Sequence, residues 1–425
     1  MNPILMEDLL GYRFLSGISV SPFENRAVFA VAVQDTRSNG YKKNLWQVDP
    51  LTGKAEKLTS HGKAGAFLFE KAGTLLCQKP GKKPGTTDYE YLELDTGKTE
   101  PAFTLPWPVN KLEKLCGDLY LVNADIDTNY PEEMTEEERK AEEDYIKIGE
   151  LPFWDNGVGY VSGHRDTLYL YNKATGERKR ITEEKFALGS TAVSADGKTV
   201  WYTGAAYTQM KLEKSGLYEL DVPTGKVQEL LPQDRMRIGQ IKCAGSELYV
   251  AASFCDKMGG TEKNDWYLLK GSKLEKILDN DFTIGCNIST DCRYGSSASL
   301  EEYQGKLLYL STEAKTCFPK LLGPDPLRWS SGWHCRLRRH RPLHRHEEGQ
   351  APGTVELEGR QAPPAHPAQH PCPVRQVCGR TGVLRFCKLS GHPHRWLGHQ
   401  AHRLRRAQEL PGSAFDAWRP LRGLG

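Results

Sequence analysis

Along the first three quarters of the chain, apolar and polar residues alternate in short runs that stop at one recurring kind of turn. Leu45-Trp46-Gln47-Val48-Asp49 precedes Thr52-Gly53-Lys54, and Tyr91-Leu92-Glu93-Leu94-Asp95 precedes Thr96-Gly97-Lys98. Leu168-Tyr169-Leu170-Tyr171-Asn172 leads into Thr175-Gly176-Glu177, and Leu217-Tyr218-Glu219-Leu220-Asp221 into Thr224-Gly225-Lys226. Trp266-Tyr267-Leu268-Leu269 before Gly271 is a looser fifth copy, and Leu307-Leu308-Tyr309-Leu310 reads as a sixth. A period of two over four or five residues predicts a strand. The glycine after threonine supplies the positive φ of a tight hairpin, from which a strand such as Lys226-Val227-Gln228-Glu229-Leu230-Leu231 returns.

The turn glycines at 53, 97, 176, 225 and 271 are spaced by 44, 79, 49 and 46 residues. A second turn signature, Ser21-Pro22-Phe23-Glu24-Asn25 and Ser194-Ala195-Asp196-Gly197-Lys198, opens further strands such as Val200-Trp201-Tyr202. Four short strands per unit of about 40–50 residues is the period of a β-propeller blade. A β-sandwich with coincidental spacing is the competing architecture. A WD-type propeller is disfavoured because no unit carries the Gly-His and Trp-Asp pair. The long step holds an insertion of roughly thirty-five residues, from about 125 to 165. Within it Thr135-Glu136-Glu137-Glu138 reads as a capping box, predicting a helix to about Ile148. This segment is too charged for a core and reads as a solvated excursion, with a lid or contact arm as the functional alternative. Leu151-Pro152-Phe153-Trp154-Asp155-Asn156-Gly157 follows as an aromatic cluster, expected to be packed rather than ligand-binding.

Composition divides the chain. The 425 residues carry a net charge of +3, but residues 325–425 carry +10 and residues 1–324 carry −7. The last 101 residues hold 16 Arg, one Lys (Lys388), 10 of the 12 His and 11 of the 25 Pro, with no Ile, Tyr or Asn. No run of eighteen apolar residues predicts a membrane span. Met1-Asn2-Pro3-Ile4-Leu5-Met6-Glu7-Asp8 lacks the features of a secretory signal. The 11 irregularly spaced cysteines suggest reduced thiols, so a cytoplasmic location is expected.

Residues 1–324 resemble the N-terminal propeller of the prolyl oligopeptidase family of serine peptidases, in particular its acylaminoacyl-peptidase-like branch. The resemblance lies in the Asp-Gly-Lys strand turns, the Thr-Gly hairpins, and the acidic insertion leading into Leu151-Pro152-Phe153-Trp154 with Asn156-Gly157. It implies a seven-bladed propeller capping an α/β-hydrolase domain and admitting short or unstructured peptides. The hydrolase domain would bring a Ser nucleophile in a Gly-x-Ser-x-Gly elbow, with Asp and His partners downstream. No such elbow occurs in this sequence; Gly295-Ser296-Ser297-Ala298-Ser299 comes nearest and lacks the closing glycine. No residue is therefore assigned as catalytic, cofactor-binding or metal-ligating, and no cofactor is expected.

Three readings of the basic segment compete. An Arg-rich segment of this charge suits a nucleic-acid-binding arm. Cys372, Cys378, Cys387, His392 and His394 lie close together, but not at the Cys-x-x-Cys spacing of structural zinc sites. The third reading is a coding sequence translated in the wrong frame, since GC-rich DNA then yields Arg, Pro, Ala, Gly and His. The genetic code tests it. Joining the last two bases of each codon to the first of the next turns every Trp into Gly, and Glu347 and Glu348 into Lys or Arg. Residues 345–362 then permit G-M-K-K-G-K-L-P-E-L-W-S-W-K-G-G-K-L, a strand, a glycine turn and a return strand. That turn falls about forty-four positions beyond Thr316, taken as the sixth turn. Residues 391–401 permit G-T-P-I-D-G-W-V-I-K-P, similar to the opening strand of the family's hydrolase domain. Residues 416–421 permit M-H-G-G-P-C, and His-Gly-Gly-Pro is the family's oxyanion-loop motif. Only the glycines read from Trp396 and Trp418 and the Lys/Arg positions are forced, yet three landmarks occur in order.

The expectation is an all-β chain. Residues 1–324 form an incomplete propeller of about six of seven four-stranded blades, with a short helical insertion at about 125–165. Residues 325–425 form a disordered, out-of-frame tail, and the α/β-hydrolase domain is absent. An unclosed ring would leave edges open to non-specific association. The function expected is that of an inactive substrate-gating fragment, of a peptidase type that acts on short peptides. The alternative is a stand-alone propeller binding module with a basic nucleic-acid-binding tail. Neither membrane nor nucleic-acid partners are expected on the first reading.

Overall fold

The computed structural model describes residues 5–130, 134–142, 144–286, 300–313 and 316–323, with three short strands at 374–379, 382–387 and 395–398. Each of the four Thr-Gly turns closes a hairpin by the same local chemistry. At the first, the Asp49 carboxylate accepts from Leu51 N at 2.7 Å and from Thr52 Oγ1 at 2.7 Å, while Gly53 N donates to Asp49 O at 2.8 Å. Asn172 and Asp221 repeat the pattern, receiving Ala174 N at 2.9 Å and Thr224 N at 2.8 Å. Gly53, Gly97, Gly176, Gly225 and Gly271 all have φ between +60° and +74°, the left-handed region that only glycine enters without strain.

These hairpins assemble antiparallel sheets laid side by side as blades. Blade one comprises Arg13–Val20, Ala27–Asp35, Gly40–Val48 and Ala55–Lys57. Blade two comprises Phe67–Lys71, Thr74–Pro80, Thr87–Glu93 and Thr99–Leu105. Blade three uses Val109–Lys114, Leu119–Asp127, His164–Asn172 and Arg178–Arg180. Blade four uses Phe186–Val193, Thr199–Ala206, Gly216–Asp221 and Lys226–Leu231, and blade five Arg237–Ala244, Glu247–Ser253, Asp265–Lys270 and Lys273–Leu278. In blade six, Thr283–Ile284 and Glu301–Tyr303 pair with one side of Lys306–Glu313, and Thr316–Leu322 with the other.

Because side chains alternate across a strand, each blade feeds two cores. In blade three, Tyr120, Val122 and Tyr169 pack against Leu76, Tyr89 and Leu105 of blade two. Leu121, Leu168 and Leu170 face the other way, meeting Phe186, Leu188, Val200 and Leu220 of blade four. Equivalent apolar cores join blades one and two, four and five, and five and six. Burial on both faces explains why these strands are rich in Leu, Tyr, Val and Trp at nearly every position. The chain is thus an all-β six-bladed propeller arrangement with almost no helix.

Three expectations change. Leu307-Leu308-Tyr309-Leu310 belongs to the second strand of its blade, not the third; Thr316–Leu322 takes the third place. The turn after the third strand of blade six therefore lies beyond Leu322 and not at Thr316. Second and third strands share the same alternation and both end near glycines, so pattern alone does not separate them. The insertion occupies residues 128–163, since Asp125, Ile126 and Asp127 still pair with Asp166, Arg165 and His164. Its helix spans only Glu136–Ala141. The capping box forms, with Glu138 N donating to Thr135 Oγ1 at 3.3 Å and Thr135 N to Glu138 Oε2 at 2.8 Å. Glu142 and Asp144 would then place negative charge at a helix C-terminus, where the dipole opposes it, and so short a helix has little packing to extend it.

In the basic segment, Val374–Gly379, Gly382–Cys387 and Arg395–Gly398 form a three-stranded antiparallel sheet whose last strand runs beside Arg13–Val20. The expectation of disorder there otherwise lies outside the described residues.

Candidate functional site

In a four-stranded antiparallel blade, the first and third turns lie at one end, and the second turn and the link to the next blade at the other. The first end is polar and carries the Thr-Gly hairpins; among the described residues its exposed large apolar side chains are Phe23, Leu51 and Val227. The second end differs. From the blade-three insertion it exposes Tyr145, Ile146, Ile148, Leu151, Phe153, Trp154, Val158 and Tyr160. Met210 and Leu212 join them from the second turn of blade four, Phe254 and Met258 from blade five, and Phe282 from the link into blade six.

The sequence reading expected the 151–157 cluster to be packed, and the structure places it in solvent: Trp154 is 50% exposed and Val158 73%. Trp154 and Tyr160 face each other across a two-residue ladder, rings edge to face at 4.9 Å, so they shield one another but reach no core. Leu151 anchors the hairpin to blade four by a parallel bridge, its N donating to Gln209 O and its O accepting from Lys211 N, both at 2.8 Å.

Arg165 buttresses this arrangement. Its side chain is fully buried and donates to Glu150 Oε1 at 2.5 Å. The guanidinium also donates to the carbonyls of His164, Lys185 and Tyr207, and lies 3.9 Å from the Tyr207 ring centroid. Glu150 accepts Gly163 N with its other oxygen at 3.2 Å. One cation therefore ties the insertion to its own blade and to two loops of the next. Beside it, His164 Nδ1 lies 3.1 Å from both oxygens of Asp125, and Nε2 lies 3.7 Å from Asp127. The Asp125 hydrogen bond, working against burial, holds the imidazole's pKa above its usual value. Asp166 next door is raised by burial, although Asn110 donates to it at 2.6 Å.

Sequence reasoning missed Arg165, Glu150 and His164 as positioning residues. The available signal was the charged triplet His164-Arg165-Asp166 at the head of an otherwise apolar strand. Gly295 to Ser299, the nearest approach to a nucleophile elbow, lies outside the described residues, as do the side chains of the 372–394 Cys/His group. No helix among the described residues is long and apolar enough to cross a membrane.

No family model matches the sequence, and no curated protein matches it. Solved structures do. An acylaminoacyl peptidase from Pyrococcus horikoshii is similar over 75% of this chain and 46% of its own length, with a TM-score of 0.56 and 13% identity. A prolyl endopeptidase is similar over 92% of this chain and 47% of its own, with a TM-score of 0.48 and 12% identity. The chain spans about half the length of each of these enzymes. At such identity the likeness speaks to architecture, and the architecture of this chain is that of the propeller in an acylaminoacyl peptidase.

Proposed function

We propose that the chain is the substrate-gating propeller portion of a serine peptidase of the prolyl oligopeptidase type, and that it has no peptidase activity of its own. The observation that carries this reading is the asymmetry of the two ends. Apolar patches of this extent on one face mark a surface meant to be covered, and the fold is one found in a peptidase about twice as long. The second-turn end would meet the catalytic half, with Arg165 holding the blade-three insertion in place against it. Short peptides would be the substrates of the complete enzyme.

The Arg-rich composition after Pro324 is attributed to a change of reading frame there. Support comes from composition, which changes within a few residues of Leu322, the end of the third strand of blade six. With Thr316 opening the third strand of blade six, the permitted Gly-Gly pair at positions 359–360 does not fall one repeat beyond a sixth turn, so spacing lends the frame change no support. Without an elbow serine there is no acyl-enzyme chemistry to perform. A fluorophosphonate probe tests the inactivity directly. The purified chain is expected to remain unlabelled, and labelling of any serine at stoichiometric level would refute the proposal.

A further inference from the structure

Blade six holds a pair of thiols that gating does not use. Its inner strand is interrupted: Thr283 and Ile284 pair with Thr312 and Ser311, and the inner position resumes only at Glu301–Tyr303. Gly285, at φ +111°, takes the chain out of the ladder. Its amide donates to Leu310 O at 2.7 Å, while its carbonyl accepts Thr312 Oγ1 at 2.6 Å and the Cys317 thiol at 3.8 Å. Thr312 and Cys317 are register partners on neighbouring strands, so their side chains leave the same face of the blade. Cys286 follows Gly285 directly, which places it beside Cys317, close enough for the two thiols to influence each other's ionisation. Both cysteines are half-buried. The other cysteines among the described residues are dispersed, Cys77 and Cys116 in blades two and three, and Cys243 and Cys255 at opposite ends of blade five.

We propose that Cys286 and Cys317 are a site of reversible disulfide formation, a redox-operated clasp tying the broken inner strand of blade six to its third strand. The oxidant is a small disulfide of the oxidised-glutathione class. One protein thiolate attacks it, breaking its S–S bond and releasing one glutathione thiolate. The second protein thiol, losing its proton, attacks the protein sulfur of the mixed disulfide and releases the second glutathione. The protein loses two protons and two electrons, and oxidised glutathione is reduced to two thiols. Burial raises the Cys317 thiol above its ordinary pKa, with Thr312 opposing and Cys286 reinforcing, so the clasp closes faster as pH rises. The two residues lie 31 positions apart, and a cross-link between them restricts the unfolded chain while sparing the native contacts.

The full chain, equilibrated in glutathione buffers of graded potential, is quenched by alkylation, digested and analysed by mass spectrometry alongside its thermal unfolding. The expected result is a Cys286–Cys317 cross-linked peptide as the first to appear, reversed by dithiothreitol, with the unfolding midpoint raised by several degrees. Cys286→Ser and Cys317→Ser should each abolish both effects, and Cys255→Ser should keep both. The proposal is overturned if other cysteines cross-link first, if the two thiols only take up glutathione singly, or if the cross-link forms with no rise in the midpoint.

Discussion

Replacing Arg165 by methionine keeps most of the volume and removes the charge. Glu150, whose side chain is 13% exposed, then loses its 2.5 Å partner, and the carbonyls of His164, Lys185 and Tyr207 lose a shared donor. Deleting one member of a buried ion pair costs about 3–5 kcal/mol, because the remaining charge stays desolvated. The lost stacking on Tyr207 adds about 0.5–2 kcal/mol. Pairing the change with Glu150→Leu removes the stranded carboxylate and should recover most of the loss. Urea denaturation of the wild type, both single variants and the double variant measures this, as a shift of midpoint at constant slope. Limited proteolysis should at the same time cut the 128–163 insertion faster in Arg165→Met. A single variant within about 0.5 kcal/mol of wild type, or a double variant no better than the single, would refute the buttress.

Further outcomes follow from the same geometry. The folded-state pKa of His164 is raised by Asp125, so its contribution to stability should be full below the unfolded value of about 6.5 and disappear as pH rises through the folded value. A pH series comparing wild type with His164→Gln should show that slope only in the wild type. Tyr120→Phe should cost about 1.5–3 kcal/mol, since Tyr120 donates at 2.6 Å to the buried Glu70 carboxylate. Burial pushes the Glu70 pKa up, but Lys173, Tyr120 and Lys114 outweigh it and hold it low, so that stability is present at neutral pH and lost on acidification. Trp154→Ser with Met210→Ser should leave unfolding within about 0.5 kcal/mol of wild type while reducing uptake of an apolar dye; a larger stability loss would mean these side chains belong to a core.

How much of this could be read from sequence depends on distance along the chain. The Thr-Gly hairpins are local chemistry: an Asp, Asn or Glu carbonyl and side chain, a threonine and a glycine at positive φ, all within five residues, so their spacing exposes the blades. The capping box at Thr135 and Glu138 is legible for the same reason. The phase of blade six is not, because Gly285 breaks its inner strand and shifts the count by one strand. Nor is the buttress, since Arg165 meets Glu150 across fifteen residues and Tyr207 across forty-two, contacts that exist only once two blades stand side by side. The exposure of Trp154 and Tyr160 also escapes the sequence, where an aromatic cluster looks the same whether it fills a core or awaits a partner.

The central proposal is that the chain leaves the propeller's reading frame near codon 324. Sequencing the nucleotides around codons 320–330 and several hundred bases downstream of codon 425 addresses it without expressing anything. A one-base displacement near codon 324, followed in the shifted frame by His-Gly-Gly-Pro and then a Gly-x-Ser-x-Gly elbow, is the expected result. An uninterrupted frame, with related genes encoding the same arginine-rich ending, would contradict it.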